Sequence, residues 1–296
     1  MNELIIISLA GFLTGITTYM FGFGGGFVVV PFVYQMLSNQ YPHNPNVMHV
    51  AVATSTAVMI FNSSFATYIN WKKGNISKNL VYPLIIFIAL GAVIGSLMSG
   101  AINDYFIRYA FIVYMVITII DCLFRRGFFK QVSKKELSVQ TYSVGGIFIG
   151  IIATILGVGG SVMTVPLLRR HGNTMSDSVA CANPLTLPMA IFGSFVYSLY
   201  SSDTGMKDYH FIGLINISIL ILLVIFGGFG ISLARFIPKI PDSIHSKIYI
   251  WLLICVTIAI TVQAVPKYLF IYRYFGTDLT QWIATDNPDT SEPLII

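Results

Sequence analysis

Charge is what this chain has least of. Only 10% of its 296 residues are Asp, Glu, Lys or Arg, where a soluble domain carries about a quarter. Cysteine is nearly absent too. Cys122, Cys181 and Cys255 lie far apart in apolar surroundings, which excludes a disulfide framework and leaves them as packing residues. The five histidines are scattered, with no metal-ligand spacing and no nucleophile–base pair within the apolar segments. That pattern speaks against an intramembrane enzyme and against a resident metal; no cofactor is expected. The first 21 residues lack a basic start and a small-residue cleavage site, so they read as a retained helix rather than a leader.

What is present is apolar length. Hydrophobic residues make up 55% of the chain, and mean hydropathy is +0.78. Val81–Ser99 carries no charge, Val139–Arg169 none before its last residue, and Tyr209–Ala234 none at all. About 20 such residues span a bilayer as a helix. Unbroken apolar runs, rather than alternation, select helices over a barrel. The fold class expected is all-α, a polytopic membrane protein. The net charge of +5 then records which loops stay in the cytoplasm and is no footprint of nucleic acid. The expected partners are the lipid bilayer and a small anionic substrate.

The chain repeats itself. Residues 22–31 read GFGGGFVVVP and residues 157–166 read GVGGSVMTVP, an offset of 135. At that offset Gly11, Gly15, Ile16, Gly22, Gly24, Gly25, Val30 and Pro31 meet identical residues in the second copy. A weaker echo at an offset of 136 joins Gly91, Ser96 and Leu97 to Gly227, Ser232 and Leu233. Self-similarity of this kind decides architecture before any single motif. The chain divides into a first transmembrane repeat (1–124), a basic cytoplasmic linker (125–138), a second repeat (139–268) and a polar, flexible tail (269–296).

Each repeat holds five apolar segments: 4–21, 24–37, 48–70, 79–100 and 104–123, then 139–156, 159–168, 177–200, 209–234 and 246–266. The second of each half is short, starts at a glycine cluster and contains a proline, Pro31 or Pro166. Short, interrupted segments at matching places in two halves point to a transporter binding site. If all ten segments change sides, the halves are inverted and 13 of the 17 Lys and Arg fall on the linker side. If the short ones are re-entrant, 11 do. The count favours inversion.

Three roles compete for the glycine knots. A dinucleotide fingerprint needs a sixth-position glycine, and here that position is Phe27 or Val162. Close helix packing suits Gly11 with Gly15, Gly91 with Gly95, and Gly146 with Gly150. Gly22, Gly24, Gly25 and Gly26, with Gly157, Gly159, Gly160 and Ser161, instead break a helix and expose the first amides of the next one to an anion.

The motif G-x-G-G-G/S-hydrophobic-P, followed by Ala51-x-Ala53-Thr54-Ser55, Gly74 and a second copy of the knot, resembles the sulfite exporter (TauE/SafE) family. The likeness covers both halves. It implies a permease exporting small sulfur-containing anions such as sulfite, sulfoacetate or related organosulfonates; other small organic anions and a passive anion channel are the alternatives. The second copy departs from the pattern, with Ser161 for the third glycine and Asn183-Pro184 where the family often has Thr-Ser.

Full charges at mid-membrane are costly, and none sits centrally in any segment. Donors to an anion must be amides and hydroxyls: Thr54, Ser55 and Thr56 with Asn62, Ser63 and Ser64 in the first half, and Asn183, Pro184 and Thr186 in the second. Pro184 and Pro188 predict a bent or unwound eighth segment that frees backbone groups. His49 is a candidate proton carrier or anion contact, or else an interfacial residue. Asp121 is expected to pair with Arg125, Arg169–His171 to anchor topology, and Trp71, Trp251 and Trp282 to lie in interfacial belts.

Overall fold

The computed structural model describes residues 2–42, 44–100, 102–125, 127–129, 132–200, 205–206 and 210–264. The tail at 269–296, with Trp282, lies outside them. Among the described residues ten helices form. They are α1 (Asn2–Phe21), α2 (Gly26–Gln40), α3 (Val47–Lys72), α4 (Lys78–Ser99), α5 (Asp104–Phe124), α6 (Val139–Leu156), α7 (Ser161–Arg170), α8 (Met175–Leu199), α9 (Ile217–Ala234) and α10 (Asp242–Ala264). Eight are long and apolar enough to cross a membrane. The exceptions are α2, with 15 residues, and α7, with 10. At 1.5 Å per residue they reach only about 22 and 15 Å of a core about 30 Å thick.

Small residues set the outer contacts. Gly91 and Gly95 of α4 lie against the backbone of Ile147 and Ile151 in α6, and Gly146 and Gly150 return the contact onto Phe87 and Ile88. Gly11 and Gly15 of α1 pack in the same way on Leu223 and Gly227 of α9. The first helix of each half is thus paired with the fourth helix of the other. Without a hydrophobic drive between helices in lipid, this backbone approach is the main source of association. Gly91→Val would put a side chain into the Ile147 carbonyl. The variant is expected to lose most of its monodisperse protein on size exclusion in detergent. Gly145→Val, with nothing within 4 Å, is expected to keep it.

The centre is built from α3 and α8, the most buried spans. Gly193 of α8 packs on Thr56 of α3, while Val179 and Asn70 share a cavity, so the two helices run antiparallel. The predicted unwinding of the eighth segment does not occur: α8 is continuous through Pro184 and Pro188. The prolines only remove two rungs of its ladder, because each lacks an N–H. The ninth segment also differs, since α9 starts at Ile217. Before it, β1 (Phe211–Ile212) and β2 (Ile215–Asn216) form a small antiparallel hairpin, turned at Gly213 with φ of 58°.

Helix ends cluster at two opposite ends of the bundle. At one, Glu3 meets Gln40, Arg108 meets Tyr34, and Asp104 accepts the amides of Met48 and His49. At the other, Lys73 reaches Tyr19 and the Arg235 carbonyl, and Arg169 meets Asp242. Of the twelve Lys and Arg among the described residues, Arg108 lies at the first end and eleven lie at the second.

Candidate functional site

Both glycine knots break the chain as their sequence requires. Gly22, Gly24 and Gly25 take φ of 76°, 66° and 104°, and Gly157 and Gly159 take 65° and 72°. An L side chain in that region costs about 1 kcal/mol or more. The break lets α1 end and α2 begin at Gly26, and lets α6 end and α7 begin at Ser161. Neither N-cap residue, Gly25 or Gly160, offers a capping side chain. The first-turn amides of Gly26, Phe27, Ser161 and Val162 find no acceptor among the described residues. Helix starts normally have such orphans satisfied, and these are buried.

The two knots meet each other. A Cβ on Gly26 would overlap the Gly157 carbonyl, and one on Gly159 would lie 3.4 Å from the Phe23 carbonyl. The Ser55 hydroxyl donates to the Gly157 carbonyl at 2.8 Å, tying the first half's α3 to the second half's break. Met59 packs against Gly24, Gly26 and Gly159, and Thr186 against Gly24 and Gly159. Two helix N-termini, each with a partial positive charge of about half a unit, therefore converge on one place. Among the described residues no Asp or Glu is buried to offset them.

Each predicted donor now has a location. Ser55, Ser161, Thr186 and the glycines are brought to the crossing. Thr54 is not, because its hydroxyl accepts the Asn216 amide of the hairpin at 3.0 Å. Thr56 and Thr186 donate back to the Ala53 and Ala182 carbonyls of their own helices, which consumes their protons. Asn183 donates weakly to the Val179 carbonyl at 3.4 Å while its Oδ1 has no partner, and Pro184 is buried beside it. Unpartnered buried atoms beside the breaks include Thr14 Oγ1 and Asn62 Nδ2, both on side chains that touch Gly25, Ser63 Oγ beside Gly24, and Ser161 Oγ at the start of α7. In native proteins each such atom calls for an explanation.

The site is shut in this conformation. Phe23, Phe27, Met59 and Met189 around it are all 0% exposed. No glycine of either knot lines any of the three described cavities. The breaks therefore face each other and packed side chains, rather than water. Phe23, Met59 and Met189 carried no signal in the sequence, because a plug is defined only by what it fills.

Residues predicted at the periphery are firmly placed. The His49 ring Nδ1 is paired with Asp104 at the first end of the bundle, well before Thr54 along α3. A carboxylate already beside the ring makes an anion contact there unfavourable. Asp121 pairs with Arg125 as expected, at 3.2 Å, and also with Arg170 at 2.9 Å. Arg169 is more than a topology anchor. It is 1% exposed and donates to the Phe128 carbonyl, the Asn173 carbonyl and Asp242. Asp242, the first residue of α10, in turn accepts the Met175 amide at the start of α8. Asp104, the first residue of α5, does the same for α3 at the opposite end. Trp71 and Trp251 are exposed, as a belt requires.

Eight helices long and apolar enough to cross a membrane, with two short ones whose glycine-broken starts meet among uncharged donors, make this a polytopic integral membrane protein. The chain belongs to the sulfite exporter TauE/SafE family, whose profile matches residues 7–260. It is 26% identical over 259 residues to a probable membrane transporter protein of Haemophilus influenzae, covering 86% of this chain and 95% of that one. A probable membrane transporter protein of Methanocaldococcus jannaschii is 24% identical over 224 residues, 74% of this chain and 80% of its own. One of Bacillus subtilis is 24% identical over 183 residues, 55% and 66% of the two chains. No solved structure matches the chain.

Proposed function

We propose that the protein is a secondary transporter exporting small sulfur-containing anions, such as sulfite, sulfoacetate or a related organosulfonate, with the anion bound where the two helix breaks cross. The observation that carries this reading is the convergence of two uncapped N-termini with orphaned Asn62, Ser63 and Ser161. Like charges brought together in low dielectric are unfavourable unless a negative group lies between them. Family membership supplies the sulfur-anion class. A neutral substrate would leave the dipoles unopposed, and a cation would worsen them.

The halves act as inverted repeats. The reciprocal α1–α9 and α4–α6 packing, the antiparallel α3 and α8, and the Asp104 and Asp242 caps at opposite ends all support this reading. The basic end faces the cytoplasm by the positive-inside rule. Alternating access follows if one repeat rocks on the other about the crossing. A carrier is favoured over a passive channel by the shut centre. At the Asp104 end the route is filled by buried Tyr197 and by the hairpin, whose Leu214 amide donates to the Tyr197 carbonyl.

The test is flux from proteoliposomes loaded with sulfite, sulfate, sulfoacetate or taurine, with and without a proton gradient. Saturable flux of one sulfur anion, competed by its analogues, is expected. Linear, voltage-driven current would replace the carrier with a channel, and no flux of any of the four would remove the reading.

A further inference from the structure

The basic end holds a cavity of about 120 Å³ that the crossing does not use. Its walls are the end of α1 (Tyr19, Met20), the end of α3 (Asn70, Lys73), the first turns of α8 and the α9–α10 loop. Its volume is well above the ~10–15 Å³ that one water needs. Two lysines line it and no carboxylate does. Among the described residues the Lys73 ammonium donates only to neutral oxygens, the Tyr19 hydroxyl at 2.8 Å and the Arg235 carbonyl at 3.4 Å. Lys239 is exposed and makes no ion pair among the described residues. The nearby Asp242 is engaged by Arg169 at 2.8 Å and by the Met175 amide. Asp177 is close to Cys181 and does not itself line the cavity, while Ala180, one turn further along α8, does.

The cavity also has an address. Val179 in its wall sets its carbonyl against Gly22, 3.1 Å from where a Cβ would stand, and the Met20 carbonyl accepts from His245 Nε2 at 2.6 Å. One layer of residues separates the cavity from the first helix break. At the opposite end Tyr200 packs on Gly100 and Tyr197 on Gly213, and the cavity there, of about 240 Å³, has the Asp104 carboxylate in its lining beside Arg108.

We propose that this cavity is a capture site for the transported oxyanion, in which Lys73 and Lys239 supply charge and Asn70, Asn75 and Ser176 supply neutral hydrogen-bonding groups. The proposal rests on the transporter reading above, and it adds a second, more superficial anion site on the basic face. Methanesulfonate, an unreactive sulfonate, is the probe.

The experiment compares wild type with the Lys73→Gln/Lys239→Gln double variant and the Lys73→Arg/Lys239→Arg control. Direct binding of methanesulfonate to purified protein is expected to weaken roughly tenfold in the Gln variant and to be retained in the Arg control. The half-saturating concentration for sulfite flux, presented at the basic end, should rise by a similar factor with maximal flux kept within about twofold. Added salt should raise it in wild type and barely move it in the Gln variant. Unchanged binding and half-saturation in the Gln variant would overturn the capture site while leaving the transporter reading intact. Methanesulfonate binding that needs the lysines, in a protein that moves no anion, would remove the transporter and with it the capture role, leaving only an anion site. Wild-type half-saturation that rises when phosphatidylglycerol is added to zwitterionic vesicles, with the Gln variant unaffected, would assign the cavity to a lipid headgroup and overturn the proposal.

Discussion

Gly26→Ala is expected to lower transport roughly 100-fold, the rate equivalent of about 3 kcal/mol, while the protein still inserts and runs as a single species on size exclusion. Local reasoning gives the opposite sign. Gly26 is the first residue of α2, and alanine in a helix interior is favoured over glycine by up to about 1 kcal/mol. The tertiary contact overrides this. The new methyl would overlap the Gly157 carbonyl and stand 2.7 Å from Met59 Sδ and 3.0 Å from Ser55 Oγ. A backbone carbonyl cannot step aside as a side-chain tip can, so the two knots must separate, at the upper end of the about 1–3 kcal/mol that overpacking costs. Gly160→Ala is the graded comparison, because its methyl meets the flexible tip of Met189; a milder loss is expected. Gly145→Ala, facing open space, should transport normally. Initial flux per inserted protein measures all three. Wild-type flux in Gly26→Ala would show that the contact between the breaks plays no part in transport.

Asn62→Leu is expected to separate stability from function. Asn62 is 2% exposed, and its Nδ2 has no partner in the closed site. An orphaned buried donor costs about 1–3 kcal/mol, so a leucine, branched at the same carbon though bulkier, should leave the melting temperature unchanged or higher. If the amide instead donates to a bound anion, its loss removes a hydrogen bond to a charged group worth about 1.5–3 kcal/mol, or roughly 10–100-fold in affinity. Thermal unfolding in detergent, with and without sulfite, alongside flux gives both numbers. A variant that is destabilised and still transports at the wild-type rate would make Asn62 a packing residue.

How far the chain could be read without coordinates depended on the reach of each requirement. Gly22, Gly24, Gly25, Gly157 and Gly159 were legible as breaks because positive φ is a demand made on one residue by its own backbone. The packing glycines Gly11, Gly15, Gly146 and Gly150 were legible because a small residue every fourth position marks one helix face. The hairpin at 211–216 was not. Its residues are apolar and continue a run that ends in a real helix, and Gly213 is the sole local sign of a turn. Arg169 followed the same logic. An arginine at a helix end looks like an anchor until Asp242, far along the chain, is found beside it.

The donors divide most sharply. Thr54, Ser55, Thr56, Thr186, Asn183 and Asn62 are equivalent in composition, and nothing in their order says which are spent. The amino-acid sequence by itself determined that the chain resides in lipid, that it is helical, and that it breaks at each of its two glycine knots, because backbone satisfaction and glycine torsions act within a few residues. Only the tertiary structure decided that the breaks touch, that Thr54 serves the hairpin and Ser55 the opposing break, and that Asn62, Ser63 and Ser161 are left without partners, because a hydroxyl or amide bonds to whatever distant segment packing places against it.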